Sequence, residues 1–550
     1  MLRCTVVMIA LGLFAAALLV RVAVGVAFAG PAYPDSYYYV HVAQQLAAGQ
    51  GFSAAYIWNL DDVAGGLLAS GTLPVPANGY WMPLAELVQV PFIWALGANW
   101  VAAGLPMWLI GAAAAPLTYW IGRDAAFEAS PALVAGLLAA VPGGLTPFFG
   151  QPDNFGLFMT LGALSLWLCA RGLRGDRRAF AIGGGVVGLA ALARADGVLL
   201  GLPFLLAFVL ESLPGRRRVI GWMAGIGCAA LFALVVGPWL LRQLDVYGSL
   251  SPAASGGRLL WLIDYQQLFS LSNQPSADSW LSQGIGPLLA SRIGGFISAS
   301  GLFVVLPLVV VLAPFAVVGA WQHRRDRAFA PFYVYAVALL AANGLLFAVL
   351  VPHGTFIHSA VALLPHTFLL VSAGVMATVA WVAARRMSWD IRRATVAFGY
   401  GAVIVALAGA VQQTVSTVGQ WSTVRSLEVR LAMPLRTAPV TDRVMSADPG
   451  AYHYLTGHPG IVTPNDDLTT IETVARLYDV RWLILERADI VPALAPVLAG
   501  DVAPMWLSAP VSVVGAPAAA TASTTPTFPP GWDGAVYAVC FAADDERCSR

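Results

Sequence analysis

Asp35 opens the stretch of this chain best suited to chemistry. It lies in PAYPDSYYYVHVAQQLAAGQGF, residues 31–52, directly after a long apolar run and ahead of Tyr37, Tyr38 and Tyr39. An apolar run followed by tyrosines places the motif at a membrane surface, where amphipathic rings are favoured. A carboxylate held there can take a proton from a hydroxyl. Tyr38 and Tyr39, three and four residues on, share its helical face and could orient a substrate; an interfacial aromatic belt accounts for them equally well. Two more aspartates stand beside apolar runs, Asp153 in GQPDNFGLF and Asp196 in ALARADGVLL. Carboxylates are costly in a bilayer, and those retained there bind, pair or move protons. Asp153 is also placed to cap a helix opening at Asn154, and Asp196, two residues after Arg194, to close a local ion pair in a tight turn. Both Arg194 and Asp196 remain candidates for substrate contact.

A departing anion such as a phosphate needs a cation, and the planar guanidinium fork suits its oxygens. Arg242, in GPWLLRQLDVYGSL, is the first choice; Arg258 and Arg292 are weaker ones. His353 and His358, in VPHGTFIHSAVALLPH, open an apolar run and could line a site, as could His41 one turn after Tyr37. A metal centre needs a defined ligand cluster. No spacing here demands one, so no cofactor is expected, although a divalent ion is compatible with the residues present.

The elements that position these groups are membrane spans. The chain has 550 residues, 58% hydrophobic and 11% charged, with a formal charge of +1 and no lysine. Its mean hydropathy is +0.73. Such a composition excludes an ordinary soluble domain, and the near-zero charge gives no pull toward nucleic acid. Arginine clusters at Arg3, Arg123, 171–178, 216–218, 324–327 and 385–393 are expected to face the cytoplasm. Between them the apolar runs predict about eleven spans, at 5–27, 101–122, 131–149, 154–170, 179–194, 197–213, 219–240, 299–321, 328–351, 357–384 and 394–412. Leu84 to Leu96, interrupted by Glu86, Gln89 and Pro91, reads as an interfacial or re-entrant helix. The first run could instead be a signal peptide cut after AFA at 27–29, but it is long for that purpose and Arg21 interrupts it.

The expected organisation is therefore a transmembrane domain over 1–412, with outer loops at 28–100 and 241–298, and an extracytoplasmic domain over 413–550. The first loop should carry an amphipathic helix from Ser36 to Ala48, and the second a surface helix around Leu259 to Leu271. In the tail, strand-like VMSA near 444 is followed by a helix at 450–456, a strand at 460, a helix at 466–478 and the strand RWLILE from 481, which predicts a small α/β domain. Residues 516–530, rich in Ala, Thr and Pro, read as a flexible loop. Cys540 and Cys548 could pair if this region faces an oxidising compartment.

The outer Asp followed by tyrosines and the helix ending AAGQGF, then YWMPL at 80–84, PDNF opening a span, and ARADG together resemble the GT-C superfamily. These are polytopic glycosyltransferases that use polyprenyl-phosphate sugars, and the nearest likeness is to bacterial protein mannosyltransferases and the aminoarabinose lipid A transferase. The resemblance covers about residues 1–370. It implies a bacterial cell-membrane enzyme with a polyprenyl-phosphate sugar donor and a glycan, lipid or protein acceptor, surrounded by membrane lipids and using no nucleic acid. By similarity Asp35 takes the position of the first-loop catalytic acid and Asp153 that of the second-loop acid. Many relatives carry a second acid directly after the first; here Ser36 stands in that place.

Three rival readings compete. An oligosaccharyltransferase shares the first-loop pattern but needs a WWDYG motif, which the tail lacks. A transporter or flippase of lipid-linked sugars would place its acids nearer the bilayer midplane. A non-catalytic relative that binds lipid-linked sugar is the third.

Overall fold

The computed structural model describes residues 2–67, 70–213, 219–386, 389–515 and 532–541. The arginines at 216–218, the stretch at 516–530 and Cys548 lie outside the described residues. The chain divides into two compact units. A helical unit comprises Met1–Gly30, Met82–Arg242 and Gln283–Val418, and a mixed unit comprises Pro31–Trp81, Gln243–Ser282 and Gly419–Arg550.

In the helical unit, eight helices among the described residues are long and apolar enough to cross a membrane. They are Val6–Ala27, Trp100–Asp124, Phe155–Leu173, Ala195–Ser212, Trp222–Tyr247, Ile285–Val305, Thr355–Ala383 and Ile391–Leu431, of which Trp222–Tyr247 and Ile391–Leu431 continue into the mixed unit. The count reaches nine if the bent pair Ala129–Ala140 and Gly143–Gly150, at 53°, is one span. The protein is thus a polytopic helical membrane protein with a small α/β region, with fewer uninterrupted spans than the expected eleven.

The differences have local causes. The run at 179–194 is the helix Arg177–Ala193, 17 residues long. The run expected at 299–321 straddles a break after Val305, where Pro307 lacks a donor and Val309 and Val310 have positive φ; the long helix starts earlier, at Ile285. Residues 328–351 pass from the α-helix Ala330–Ala341 into a π turn and then a 3-10 segment containing Pro352. Leu84–Leu96 is a short apolar helix, as its interruptions predict.

Small residues set the packing of this unit. A Cβ added at Gly156 would lie 2.8 Å from the Gly111 Cα, so Trp100–Asp124 and Phe155–Leu173 meet backbone to backbone. Arg21, which interrupts the first run, is 1% exposed. It points inward, donating to the carbonyls of Ala17 at 2.9 Å and Ala140 at 3.2 Å, and it lies over the Phe149 ring.

Among the described residues, the mixed unit is built on eight short strands: β1 (Ser53–Ala54), β2 (Tyr56–Ile57), β3 (Val75–Pro76), β4 (Arg443–Ser446), β5 (Gly460–Val462), β6 (Val480–Glu486), β7 (Leu507–Val514) and β8 (Gly534–Val539). β1 and β3 form an antiparallel pair. The other six form one sheet in the order β2-β5-β4-β6-β8-β7, parallel from β2 to β6 and antiparallel beyond. Helices Pro449–Thr456 and Leu468–Leu477 make the crossovers that parallel strands require. The alternation read in the tail therefore yields the expected elements. The tail does not fold alone, however, because β2 from the first outer loop pairs with β5, Tyr56 opposite Gly460. The second loop joins too, its Ser270 hydroxyl and Leu271 amide each donating to Asp466 at 2.7 Å. No single helix forms over Leu259 to Leu271; the loop makes 3-10 turns at Ser255–Leu260 and Tyr265–Phe269, the second opened by an Asp264 cap.

Candidate functional site

In the mixed unit, Asp35 sits in the first turn of the helix Pro34–Ala47. Proline at the first helical position supplies a preset φ, and the aligned peptide dipoles at that end favour a negative charge. Ser36 fixes the approach of the chain. Its hydroxyl accepts from the amides of Ala32 at 2.9 Å and Tyr33 at 3.1 Å and donates to the Tyr33 carbonyl at 2.8 Å. The residue that stands where relatives carry a second acid is thus a buried cap.

Tyr38 and Tyr39 are both 0% exposed, inside the unit rather than along an outer belt. The Tyr38 hydroxyl donates to Asp62, 3.0 Å from one oxygen, and accepts from the Asn78 amide at 2.7 Å. Asp62 also accepts from the Tyr80 amide at 3.1 Å. Tyr38 and Trp58 both pack on Trp81, with ring centroids 4.3 and 4.0 Å away. Tyr265, from the second loop, lies close enough to Asp35 to feel its charge: burial, and then that charge, push its hydroxyl up to about 12. His41 is buried and turned away from this end; its Nε2 accepts from the Ala55 amide at 2.9 Å, and burial next to His453 holds it neutral.

The first loop also carries an acid pair that sequence reasoning did not single out, Asp61 and Asp62 in NLDDV. Asp61 is 1% exposed and pairs with Arg258 at 3.0 Å. Burial pushes its carboxyl up to about 6 in spite of the guanidinium. That guanidinium lies against Gly65, at φ +82°, where any Cβ would overlap Arg258 Nη1. Two adjacent acids after Asn59 in an aromatic-rich loop were the available signal.

In the helical unit, Asp153 is 1% exposed and lies in a bend before the helix Phe155–Leu173. It accepts from the adjacent Asn154 amide, and the N-cap of that helix is Asn154 rather than Asp153, one residue later than its position suggested. Asn154 holds the site together. Its amide nitrogen donates to the Ala193 carbonyl at 3.3 Å, leaving its oxygen to face His358 Nδ1 at 3.4 Å. A carboxamide oxygen can only accept, so in this contact it is His358 Nδ1 that donates. The His358 ring packs on Phe155 at 3.9 Å between centroids, and a ring nitrogen lies within 4.8 Å of an Asp153 oxygen.

Arg194 and Asp196 pair at 3.1 Å, the local ion pair that their spacing suggested. Both also reach the segment that carries His358. Arg194 donates to Ser359 Oγ at 3.2 Å and the Thr355 carbonyl at 3.4 Å, and Asp196 accepts from the Ser359 hydroxyl. The structure thus gathers Asp153, Asn154, Arg194, Asp196 and His358. Arg242, on Trp222–Tyr247, has its guanidinium 5.0 Å from the Trp239 ring centroid. Arg292 donates to the Leu345 carbonyl at 3.2 Å, and His353 is exposed.

Residues 83–241 match the family model for dolichyl-phosphate-mannose-protein mannosyltransferase. No curated protein sequence matches the chain. Among solved structures, the apo oligosaccharyltransferase of Archaeoglobus fulgidus is similar with a TM-score of 0.56 at 13% identity, over 87% of this chain and 69% of that one. The same archaeal enzyme, AglB, in complex with an inhibitory peptide and a dolichol-phosphate gives 0.54 at 14% identity, over 87% and 69%. ArnT from Cupriavidus metallidurans, bound to undecaprenyl phosphate, gives 0.53 at 14% identity, over 96% of this chain and 97% of that one. The chain shares its fold with these solved structures, and the family match lies within the region whose motifs resemble the GT-C superfamily.

Proposed function

With the GT-C fold as the starting premise, we propose that this chain is an integral membrane glycosyltransferase. It transfers a hexosyl or pentosyl group from a polyprenyl-phosphate donor to a hydroxyl of an extracytoplasmic glycan, lipid or protein. It lies in a bacterial cell membrane, with its N-terminus cytoplasmic and the mixed unit outside. The observation that carries this reading is the setting of Asp35. A half-buried carboxylate in a capped first helical turn, on a scaffold shared with proteins whose structures hold undecaprenyl phosphate and dolichol-phosphate, suits a base for a hydroxyl acceptor.

In the proposed step Asp35 takes the acceptor proton as the oxygen attacks the anomeric carbon. The bond from that carbon to the phosphate oxygen breaks, and polyprenyl phosphate leaves with the electron pair toward Arg242. Configuration inverts. Asp153 positions the sugar. His358 lines the same turn, with the segment that carries it held in place through Arg194, Asp196 and Ser359. Tyr38 and Tyr39 serve by seating the helix that carries Asp35. None of these roles calls for a metal.

The test is transfer of labelled sugar from a panel of polyprenyl-phosphate donors to envelope acceptors, in membranes with equal amounts of wild type and Asp35→Asn. A loss of about 10²- to 10⁴-fold with normal insertion is expected for removal of the base. Undiminished transfer by Asp35→Asn removes it from that role. Absence of transfer by the wild type from every donor favours a lipid-linked-sugar transporter instead.

A further inference from the structure

Among the described residues of the helical unit, two of the buried side-chain oxygens without a hydrogen-bond partner belong to glutamines beside the turn that carries Asp153. The helix Leu84–Leu96 buries Glu86, Gln89, Val90 and Ile93, one face by helical spacing, and its polar members are at the start. Gln89 is 0% exposed and donates through Nε2 to the Pro152 carbonyl at 3.4 Å, which sets it against the bend at 151–153. Gln151, in that bend, is 1% exposed. The Oε1 atoms of Gln89 and Gln151 are buried without a hydrogen-bond partner in the protein.

A buried carbonyl oxygen left unpaired is destabilising, and folded proteins keep few of them. Here two flank the turn that carries Asp153. Gln89 uses its amide nitrogen on Pro152, so the flip that would exchange oxygen for nitrogen is disfavoured. Both orphans can only accept, and their partner must donate. A phosphate offers acceptors alone at neutral pH and does not fit; a sugar carries hydroxyl donors around its ring.

We propose that Gln89 and Gln151 recognise hydroxyl groups of the donor sugar beside Asp153, making them specificity-determining residues. This rests on the glycosyltransferase reading and assigns the sugar, rather than the phosphate or the lipid tail, to this part of the helical unit. A buried site that bonds a hydroxyl discriminates strongly against analogues lacking it, because its polar groups are then left unpaired.

The test compares binding of undecaprenyl phosphate with that of its mannosyl, glucosyl and arabinosyl derivatives, to full-length protein in detergent and without turnover. Gln89→Met and Gln151→Met keep length and remove the acceptor; Gln151→Glu keeps an acceptor. For the derivative that wild type binds best, each Met variant is expected to lose about tenfold in the preference for sugar-bearing over sugar-free lipid, equivalent to about 1.4 kcal/mol. Binding of undecaprenyl phosphate itself should be unchanged, and Gln151→Glu should keep the preference. Retention of full preference by both Met variants overturns the proposal, since the oxygens then hold water only. Equal loss of sugar-free lipid binding also overturns it, as does a wild type with no preference for any sugar. Because no catalysis is read, this result is separable from the outcome for Asp35→Asn.

Discussion

Asp35 stands half-buried in the first turn of a helix, whereas Asp153 is buried in a bend ahead of one. Around Asp35 the scaffold works through neighbours: Ser36 caps the helix, and Tyr38 fastens it to Asp62 and Asn78. Around Asp153 the polar groups themselves crowd together, with Asn154 tied to Ala193 and facing His358. On the proposed reading, the difference separates an acid held for proton transfer from one held for orientation. A base gains from a supported but accessible position, and a positioning group from burial among fixed partners.

The contrast breaks most sharply on the acids. Asp35→Asn should lower kcat by about 10³-fold, in the range for loss of a general base. Asp153→Asn should cost less in kcat and more in donor KM. Transfer assays on both variants decide this, and the reverse ranking would exchange the two roles.

A second expected effect concerns the mixed unit and pH. Burial pushes the carboxyls of Asp448 and Glu486 up to about 7, with the charge of Glu428 adding to the shift at Asp448 and that of Asp448 to the shift at Glu486. In the unfolded chain such groups ionise near 4. From about pH 4 to 7 the folded unit therefore holds protons that the unfolded chain has released, and its stability falls as pH rises through that window, levelling above it. Hydrogen exchange of the sheet should show protection decreasing from pH 5 to 7 after correction for intrinsic rates. Glu486→Gln should flatten that dependence, and a slope unchanged by the substitution would remove Glu486 as its source.

Two smaller changes sharpen the account of the Asp35 helix. Tyr38→Phe removes a hydroxyl that serves both Asp62 and the Asn78 amide, and should cost about 1–3 kcal/mol of stability, read from denaturant unfolding. Donor and acceptor KM should change little, whereas a large KM change with unaltered stability would return Tyr38 to substrate contact. Ser36→Ala should cost about 1 kcal/mol, the usual worth of a cap. Ser36→Thr keeps the hydroxyl and should recover much of it.

Much of this architecture is legible in one dimension. Hydropathy locates the long helices, and period-two and period-3.6 patterns place β4, β5, β6 and the two crossover helices of the tail. Such patterns arise from which face of an element is buried, and each element carries that information itself. The Asp35 motif, PDNF and ARADG are also local, which is why their residues could be singled out. The interruptions of the spans were partly visible in Pro307 and Pro352 but outweighed by apolar content.

Only the tertiary structure decided the partners. Tyr56–Ile57 becomes an edge strand on β5, about four hundred positions away, and Asp466 collects the second loop. Tyr38 chooses Asp62 instead of a membrane surface, and Asn154 faces His358 Nδ1 from about two hundred positions away. Periodicity states which face of an element is buried and is silent on what meets it. Hydrogen bonds between residues so distant depend on how whole elements pack, and a buried donor or acceptor accepts only the partner which that packing supplies.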